Sequence, residues 1–160
     1  MGGYTGIPVP IFEKRIQVIA QYVCSNHLDG AFIFSDEYRA GFTTYFSDYK
    51  PINVIEESPQ GVFVTPEGKV TLFLGAINSQ SARRVSWIKD IRNIETLSDY
   101  FKELRDEKGG PLVIGLSGQD LLPVKYFKRL KGWLVGNDYV DMDDKLTEMR
   151  AVKEPEEIEL

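Results

Sequence analysis

The residue types best suited to catalysis or metal binding are scarce in this chain. Its 160 residues include one histidine, His27, and one cysteine, Cys24. A zinc site of the histidine/cysteine type needs several such ligands, and nucleophilic catalysis of the Ser/His or Cys/His type would depend on His27 alone. The spacing places both residues near the end of an amphipathic helix, where an imidazolium favours the helix dipole and a small thiol packs like an apolar side chain. We therefore expect a buried, structural Cys24, and we expect neither a catalytic residue nor a metal site.

An acidic cluster at residues 138–144 contains four aspartates and could suggest calcium. An EF-hand loop needs glycine at its sixth position and glutamate at its twelfth. Counted from Asp138, these positions hold Asp143 and Met149, so the loop does not fit. The cluster instead predicts that Asp143 or Asp144 caps the helix that follows.

A glycine-containing segment, Gly115-Leu116-Ser117-Gly118, follows a predicted strand and precedes a predicted helix. It matches neither a Walker A motif nor a dinucleotide fingerprint. A helix N-terminus at this place can still hold an anion, through Ser117 and the backbone amide of Gly118. This keeps open one alternative for the whole chain, a free-standing α/β module that binds a small molecule or a protein partner.

An aromatic-rich loop at residues 42–50 follows the first buried strand. Loops beyond the strands of α/β sheets commonly carry ligand sites. The competing interpretation is that aromatic rings of this loop fill the core beneath it, and we expect this of Phe42, Tyr45 and Phe46. The exposed contacts are then expected from Asp48, Tyr49 and Lys50.

The elements that must position these residues follow from periodicity and turn signals. Apolar spacing predicts helices at residues 10–28, 37–44, 78–87, 97–108, 122–130 and 144–149, the first ended by Gly30 and the second capped by Asp36. Short apolar runs predict strands at 31–34, 52–55, 62–65, 70–74, 91–94 and 112–116, with a last extended segment at 133–135 and 139–140. Pro66-Glu67-Gly68-Lys69 predicts a tight antiparallel hairpin. The alternation indicates a three-layer α/β domain with a mixed central sheet flanked by helices.

Composition and charge exclude several classes of function. The net charge is −5, and basic residues are interleaved with acidic ones, which disfavours binding to nucleic acid or to an anionic membrane. No apolar stretch approaches the roughly 20 residues of a membrane span, and the N-terminus lacks the regions of a signal peptide. A single cysteine suits a reducing compartment. We expect a cytoplasmic protein.

The last residues have the form of a helix start. Lys153-Glu154-Pro155-Glu156-Glu157 puts a proline in the first turn and acidic residues near the positive end of the helix dipole. Few residues remain after this start to build a helix of ordinary length. Either this last turn is frayed, or the chain is the first part of a longer polypeptide.

Taken together, the motifs resemble the N-terminal domain of the creatinase, prolidase and aminopeptidase P family of "pita-bread" metallohydrolases. The step from helix to strand at residues 28–33 (LDGAFI), the variant of a YLTGF-like stretch at 45–49 (YFSDY) and the hairpin at 62–68 (VFVTPEG) carry the resemblance. The junction pattern is its most specific part, and it is matched by Leu146, Arg150, Val152, Lys153, Pro155, Glu157 and Ile158.

This resemblance implies a ribonuclease H-like N-terminal domain at residues 1–152, with residues 153–160 opening a catalytic domain. In the family, that second domain holds a divalent metal pair (Mn, Co or Zn) on two aspartates, one histidine and two glutamates. The resemblance further implies a homo-oligomer, expected to be a dimer, and a loop that reaches the substrate cleft through Tyr45, Asp48, Tyr49 and Lys50. Many members have glycine at position 48. Residues 55–58 lack the basic residue of creatinase, so Xaa-Pro peptidase or related C–N hydrolase activity is expected in the full protein and none in this chain alone.

Overall fold

The computed structural model describes residues 5–51, 58–124 and 138–158. In chain order, the helices are α1 (Val9–Ser25), α2 (Gly41–Ser47), α3 (Ala76–Val85), α4 (Leu97–Lys108), α5 (Asp143–Ala151) and α6 (Pro155–Ile158), with short 3-10 helices at Ile94–Thr96 and Gln119–Leu121. The strands are β1 (Gly30–Ser35), β2 (Gln60–Val64), β3 (Val70–Leu74), β4 (Asp90–Asn93), β5 (Val113–Ser117) and β6 (Asp138–Asp141). The predicted strand at 52–55, most of the predicted helix at 122–130 and the extended segment at 133–135 lie outside the described residues.

The six strands form one mixed sheet in the order β4-β3-β2-β1-β5-β6. β2 runs antiparallel to both of its neighbours, and the remaining pairs are parallel. The predicted hairpin is confirmed: Val64 lies opposite Val70, and Gly68 takes a left-handed φ of 79° in the turn. The mixed sheet predicted from the sequence is therefore correct.

Helices cover both faces of the sheet, which confirms the three layers. β1 is buried along its whole length, so its alternating side chains contribute to two separate cores. Ala31 and Ile33 pack on the face covered by α1, α3 and α5, whereas Phe32 and Phe34 pack on the face covered by α4. The second core is mainly aromatic, with Phe63, Phe73 and Phe101 in edge-to-face contacts.

The first helix ends earlier than the sequence predicts. α1 stops at Ser25, and His27 takes a left-handed φ of 55°. His27 N donates to Cys24 O, and Leu28 N donates to Val23 O, which is the hydrogen-bond pattern of a Schellman motif. The predicted role of Gly30 as the helix end is therefore wrong, because Gly30 is the first residue of β1 and an added Cβ would lie 2.2 Å from the Phe63 ring.

Cys24 also differs from the expectation, since it is exposed rather than buried. The buried positions of α1 are Phe12, Arg15, Ile16, Ile19, Ala20 and Val23. Cys24 follows Val23 by one residue, which turns it about 100° around the helix axis and away from the sheet. The apolar spacing thus predicts the buried face of α1 correctly as far as Val23, but the predicted helix extends beyond the observed end at Ser25.

Two predicted aspartate caps are wrong. Asp36 accepts hydrogen bonds from the amides of Tyr38 and Arg39 in a turn, and α2 begins only at Gly41. At α5 the residue before the first turn is Met142, which has no side-chain cap, and the Asp141 carboxylate accepts from the amide of Asp143. The Asp143 carboxylate is instead directed to the loop that follows β5.

Candidate functional site: the α2 loop and the C-terminal junction

Asp48 ends α2 and is buried, with 2% of its surface exposed. It adopts a left-handed φ of 52°, which aspartate tolerates better than most residues because its short side chain can form local hydrogen bonds. Its Oδ1 accepts hydrogen bonds from Thr5 N at 2.8 Å and from Thr5 Oγ1 at 2.6 Å. The expectation that Asp48 is exposed is therefore wrong, because its carboxylate holds the N-terminal segment against the end of α2.

Tyr49 is buried to the same degree, also at 2% exposure. Its Oη lies 2.6 Å from Asn78 Oδ1 and 2.7 Å from Ser81 Oγ, both on α3. Asn78 Nδ2 in turn donates to Ser58 Oγ at 3.1 Å. The predicted exposure of Tyr49 is wrong for a physical reason: α3 supplies polar partners for a phenol that can then be buried without a desolvation penalty.

Lys50 is exposed and Tyr45 is half-buried. The predicted exposure of the Lys50 side chain is therefore confirmed. Tyr45 Oη donates to Met149 O on α5 at 3.1 Å, so its ring bridges α2 and the last long helix. Burial is the main cause that raises the pKa of the Tyr45 phenol above its ordinary value. Of the four residues predicted for the loop, only Lys50 presents its side chain mainly to solvent.

Arg15 is the functional candidate that sequence reasoning missed. It lies on α1 with 3% of its surface exposed. Its guanidinium carbon is 3.9 Å from the centroid of the Tyr45 ring and 5.1 Å from that of Phe12, and Nη1 donates to Tyr45 O at 2.8 Å. Its spacing in the sequence could have indicated this burial, because residue 15 follows Phe12 by three positions and precedes Ile19 by four, which places it on the apolar face of the helix.

The segment after α5 returns to α1 and contacts it through charged groups. Glu154 Oε1 accepts a hydrogen bond from Lys14 Nζ at 2.7 Å, and Glu157 Oε2 lies 2.8 Å from Arg15 Nη2. The bond to Glu154 raises the pKa of Lys14 above its ordinary value. Glu157 Oε2 also accepts from Glu154 N at 3.0 Å. The junction pattern at the end of the sequence thus forms a defined contact with the first helix.

A cleft of about 480 Å³ opens at the carboxyl ends of β1 and β5. Its lining includes an ion pair between Arg39 and Asp120, at 2.8 Å, and Arg150, whose guanidinium carbon lies 4.9 Å from the centroid of the Phe42 ring. Asp120 and Arg39 are both more than half exposed, so this pair contributes little to stability.

The hydrogen-bond donors of the predicted anion site, Ser117 and the amide of Gly118, are already bonded within the chain. Asp143 Oδ1 accepts hydrogen bonds from Ser117 Oγ at 2.5 Å and from Gly118 N at 2.6 Å. Residue 118 has to be glycine, because its φ of 84° is left-handed and an added Cβ would lie 2.2 Å from Phe34 O. The chain's own carboxylate therefore occupies the position that an anionic ligand would have to take.

Within residues 5–51, 58–124 and 138–158, no group of three or more His, Cys, Asp or Glu side chains is arranged to hold a metal ion. Glu154 and Glu157 of the junction pair with Lys14 and Arg15 on α1, and Asp143 accepts hydrogen bonds from Ser117 and Gly118. The described residues therefore do not fit the dinuclear metal site that the family resemblance implies. Over the same ranges, no helix has the length and apolar character needed to cross a membrane.

The fold and the junction define an α/β domain whose mixed six-stranded sheet carries helices on both faces. The profile of the Creatinase/Prolidase N-terminal domain matches residues 15–152. The chain belongs to this family. The resemblance predicted from the motifs is thus confirmed, whereas the ribonuclease H-like label stays a prediction.

Solved structures show the same fold at low sequence identity. An X-Pro aminopeptidase from Thermotoga maritima aligns with a TM-score of 0.69 and 20% identity, over 92% of this chain and 38% of that one. An aminopeptidase P from Streptococcus thermophilus aligns with a TM-score of 0.66 and 18% identity, over 87% of this chain and 98% of that one. The N-terminal domain of the cytoplasmic peptidase PepQ from Mycobacterium tuberculosis gives 0.63 and 16%, over 86% and 98%. A comparison with curated protein sequences finds no significant match.

Proposed function

We propose that this chain is the non-catalytic N-terminal domain of an Xaa-Pro peptidase or prolidase-like metallohydrolase. The observation that supports this most directly is the family match over residues 15–152. The structural alignments add a second argument: the chain matches nearly all of a solved N-terminal peptidase domain but only 38% of the longer aminopeptidase from T. maritima. In this proposal residues 1–152 form the domain, and residues 153–160 begin a catalytic domain that contains the chemistry.

The metal pair of the proposed enzyme, Mn²⁺, Co²⁺ or Zn²⁺, belongs to that catalytic domain. Two-metal hydrolysis needs carboxylate and imidazole ligands close together. The single histidine, His27, lies at the exposed end of α1, and its backbone conformation serves the helix terminus. No catalytic step is assigned to residues of this chain.

The role of the domain is to support assembly and to shape the substrate cleft. Lys50 is our candidate for contact with the cleft, because it is exposed at the end of the α2 loop. The burial of Asp48 and Tyr49 assigns them to holding that loop in place. Tyr45 links the loop to α5 and, through Arg15, to the junction. The same proposal includes a homodimer and a cytoplasmic location.

The test compares the chain with the product of its complete open reading frame. Both are assayed for hydrolysis of Xaa-Pro dipeptides with Mn²⁺, Co²⁺ or Zn²⁺, and their masses in solution are measured. We expect the complete product to be dimeric and to hydrolyse the dipeptides, and the chain to be inactive. Metal-dependent turnover by the pure chain that is lost in His27→Ala would overturn the proposal, as would a reading frame without metal ligands after residue 160.

The cleft assignment has its own test in the complete product. Lys50→Ala is expected to change KM or kcat/KM for the dipeptide while leaving thermal stability unchanged. Lys89→Ala is the matched control, since Lys89 is an exposed lysine on the loop before β4. Equal kinetic effects of the two changes would show that Lys50 has no special relation to the cleft.

A further inference from the structure

One surface on α1 and α2, which we call the α1 dock, consists of Phe12, Lys14, Arg15 and Tyr45. Its centre is the Arg15 guanidinium, which lies against the two aromatic rings and donates to Tyr45 O. Lys14 lies beside it with its side chain largely in solvent. The dock therefore presents one buried and one exposed positive charge on an aromatic base.

The segment at residues 154–157 has the complementary chemistry. Glu154 and Glu157 are three residues apart, so both can face the same side of a short helical turn. Glu154 pairs with Lys14, and Glu157 pairs with Arg15 while it also accepts the amide of Glu154. Between them, Glu156 is exposed. Glu154 and Glu157 therefore differ from Glu156 in position and not in chemistry, since all three are glutamates and, within the described residues, only these two form ion pairs with α1.

Apolar burial does not explain why this segment lies on α1. None of the residues of α6 is buried, and Ile158 is 73% exposed. Arg15, by contrast, has only 4% of its side chain exposed, and Glu157 has 13%. A buried guanidinium that loses its carboxylate is strongly disfavoured. Across the described part of the chain, Glu157 is the acidic residue within ion-pair distance of Arg15, so the charge of Arg15 itself favours the docked segment.

The Arg15–Glu157 contact is electrostatic more than directional. Arg15 Nη2 is 2.8 Å from Glu157 Oε2, but it lacks the alignment of a hydrogen bond, and Arg15 Nε is buried without a hydrogen-bond partner. Neutralising Glu157 should therefore remove most of the attraction even if an amide fills the same space. Glu157→Gln should therefore release the segment from α1, whereas Glu156→Gln should leave it in place.

We propose that the α1 dock binds the acidic segment 154–157 of its own chain and thereby fixes the direction in which the polypeptide leaves the domain. Its use rests on the proposed function, because a fixed exit direction would set the position of a following catalytic domain. The contact itself is a property of this chain and needs no second domain.

A distance measurement between spin labels tests the dock in this chain. Cys24 is an exposed native thiol on α1, and Ile158→Cys places a second label on the exposed end of α6. We expect a narrow distance distribution in this background and in its Glu156→Gln variant. Glu157→Gln is expected to lose the narrow peak. A broad distribution in the unchanged segment, or equal distributions for the two glutamine variants, would overturn the proposal.

A charge exchange on the exposed pair gives a test that does not disturb buried residues. Lys14→Glu should broaden the distribution, because Glu154 then faces a like charge, and adding Glu154→Lys should restore the narrow peak. Failure of the double variant to recover would overturn the role of this pair. Since these measurements need no enzyme activity, a docked segment together with an inactive complete product would reject the proposed function and leave the dock intact.

Discussion

Two neighbouring parts of α2 are held by different kinds of interaction. At its C-terminal end, Asp48 and Tyr49 are buried and hydrogen-bonded to Thr5 and to α3, an arrangement we call the buried anchor. Nearer its centre, Tyr45 belongs to the α1 dock, where charged groups hold a segment that contributes no buried residue. The anchor joins parts of one core, whereas the dock joins the core to a peripheral segment.

This difference separates what the domain needs in order to fold from what it can use for function. Removing a buried, fully bonded side chain leaves a cavity and unpaired polar groups, so its cost appears in global stability. Removing a contact to a peripheral segment lets that segment detach, so the cost appears in local order instead. Substitutions in the two regions should therefore separate these two kinds of cost.

Tyr49→Ala should destabilise the domain by about 3–5 kcal/mol, because it removes a buried aromatic ring together with its hydroxyl. The measurement is chemical denaturation of the purified chain. Tyr38→Ala is the control, since Tyr38 is 81% exposed and its removal should change stability by less than about 0.5 kcal/mol. Similar losses for the two tyrosines would contradict the buried anchor.

Asp48→Ala should cost about 1–3 kcal/mol, because Thr5 loses the acceptor of two hydrogen bonds. Alanine at this left-handed position adds backbone strain. Asp48→Asn keeps an acceptor and a side chain suited to positive φ, so its loss should be clearly smaller. The comparison is made by thermal unfolding of the two variants, and an equal loss in both would mean that the carboxylate charge, rather than the acceptor geometry, matters at this site.

Alkaline pH should destabilise the domain, and Tyr45 should account for part of the effect. Burial raises the pKa of Tyr45 above its ordinary value of 10.0, so the folded state holds this proton more tightly than the unfolded state does. The corresponding stability is fully present below pH 10 and is lost as pH rises through the folded pKa.

Denaturation midpoints measured from pH 8 to 11 check this sign. Tyr45→Phe should flatten the alkaline decline without abolishing it, because burial also raises the pKa of Tyr100. Tyr38→Phe provides the exposed control. An unchanged slope in Tyr45→Phe would show that the Tyr45 phenol does not titrate differently in the two states.

Lys50→Ala should have the smallest effect on the isolated domain, within about 0.5 kcal/mol, because the side chain is exposed. Thermal unfolding of this chain gives the measurement. A loss comparable to that of Asp48→Ala would place Lys50 in the buried anchor and remove it as a candidate for the cleft.

Local patterns predicted those parts of the fold that depend on neighbours in sequence. Helix α4 was predicted at its observed bounds, 97–108, because Gly109 provides an unambiguous left-handed C-cap. The hairpin was equally clear, since Pro66-Glu67-Gly68-Lys69 provides turn residues between two apolar runs. Helix ends without such signals were less certain, as His27 shows by taking the position that glycine usually fills.

The candidate site was predicted less well, because burial of a polar residue depends on partners distant in sequence. Asp48 and Tyr49 were expected to be exposed since they are polar residues on a loop after a strand. Their partners are Thr5, 43 residues earlier, and Asn78, 29 residues later, and no local pattern connects them. The same holds for Ser117 and Gly118, whose donors are taken by Asp143.

The sequence alone determined the alternation of helices and strands, the mixed sheet and, through the spacing of the junction residues, the family. The alternation and the mixed sheet follow from periodicity and turn chemistry, which act over a few residues, whereas the family follows from the resemblance of the junction motif. Only the tertiary structure decided which polar groups are paired. In the sequence, Arg15 looks like an ordinary helix residue. In the folded chain it contacts Phe12, Tyr45 and Glu157, and its electrostatic interaction energy depends on this burial and on these partners.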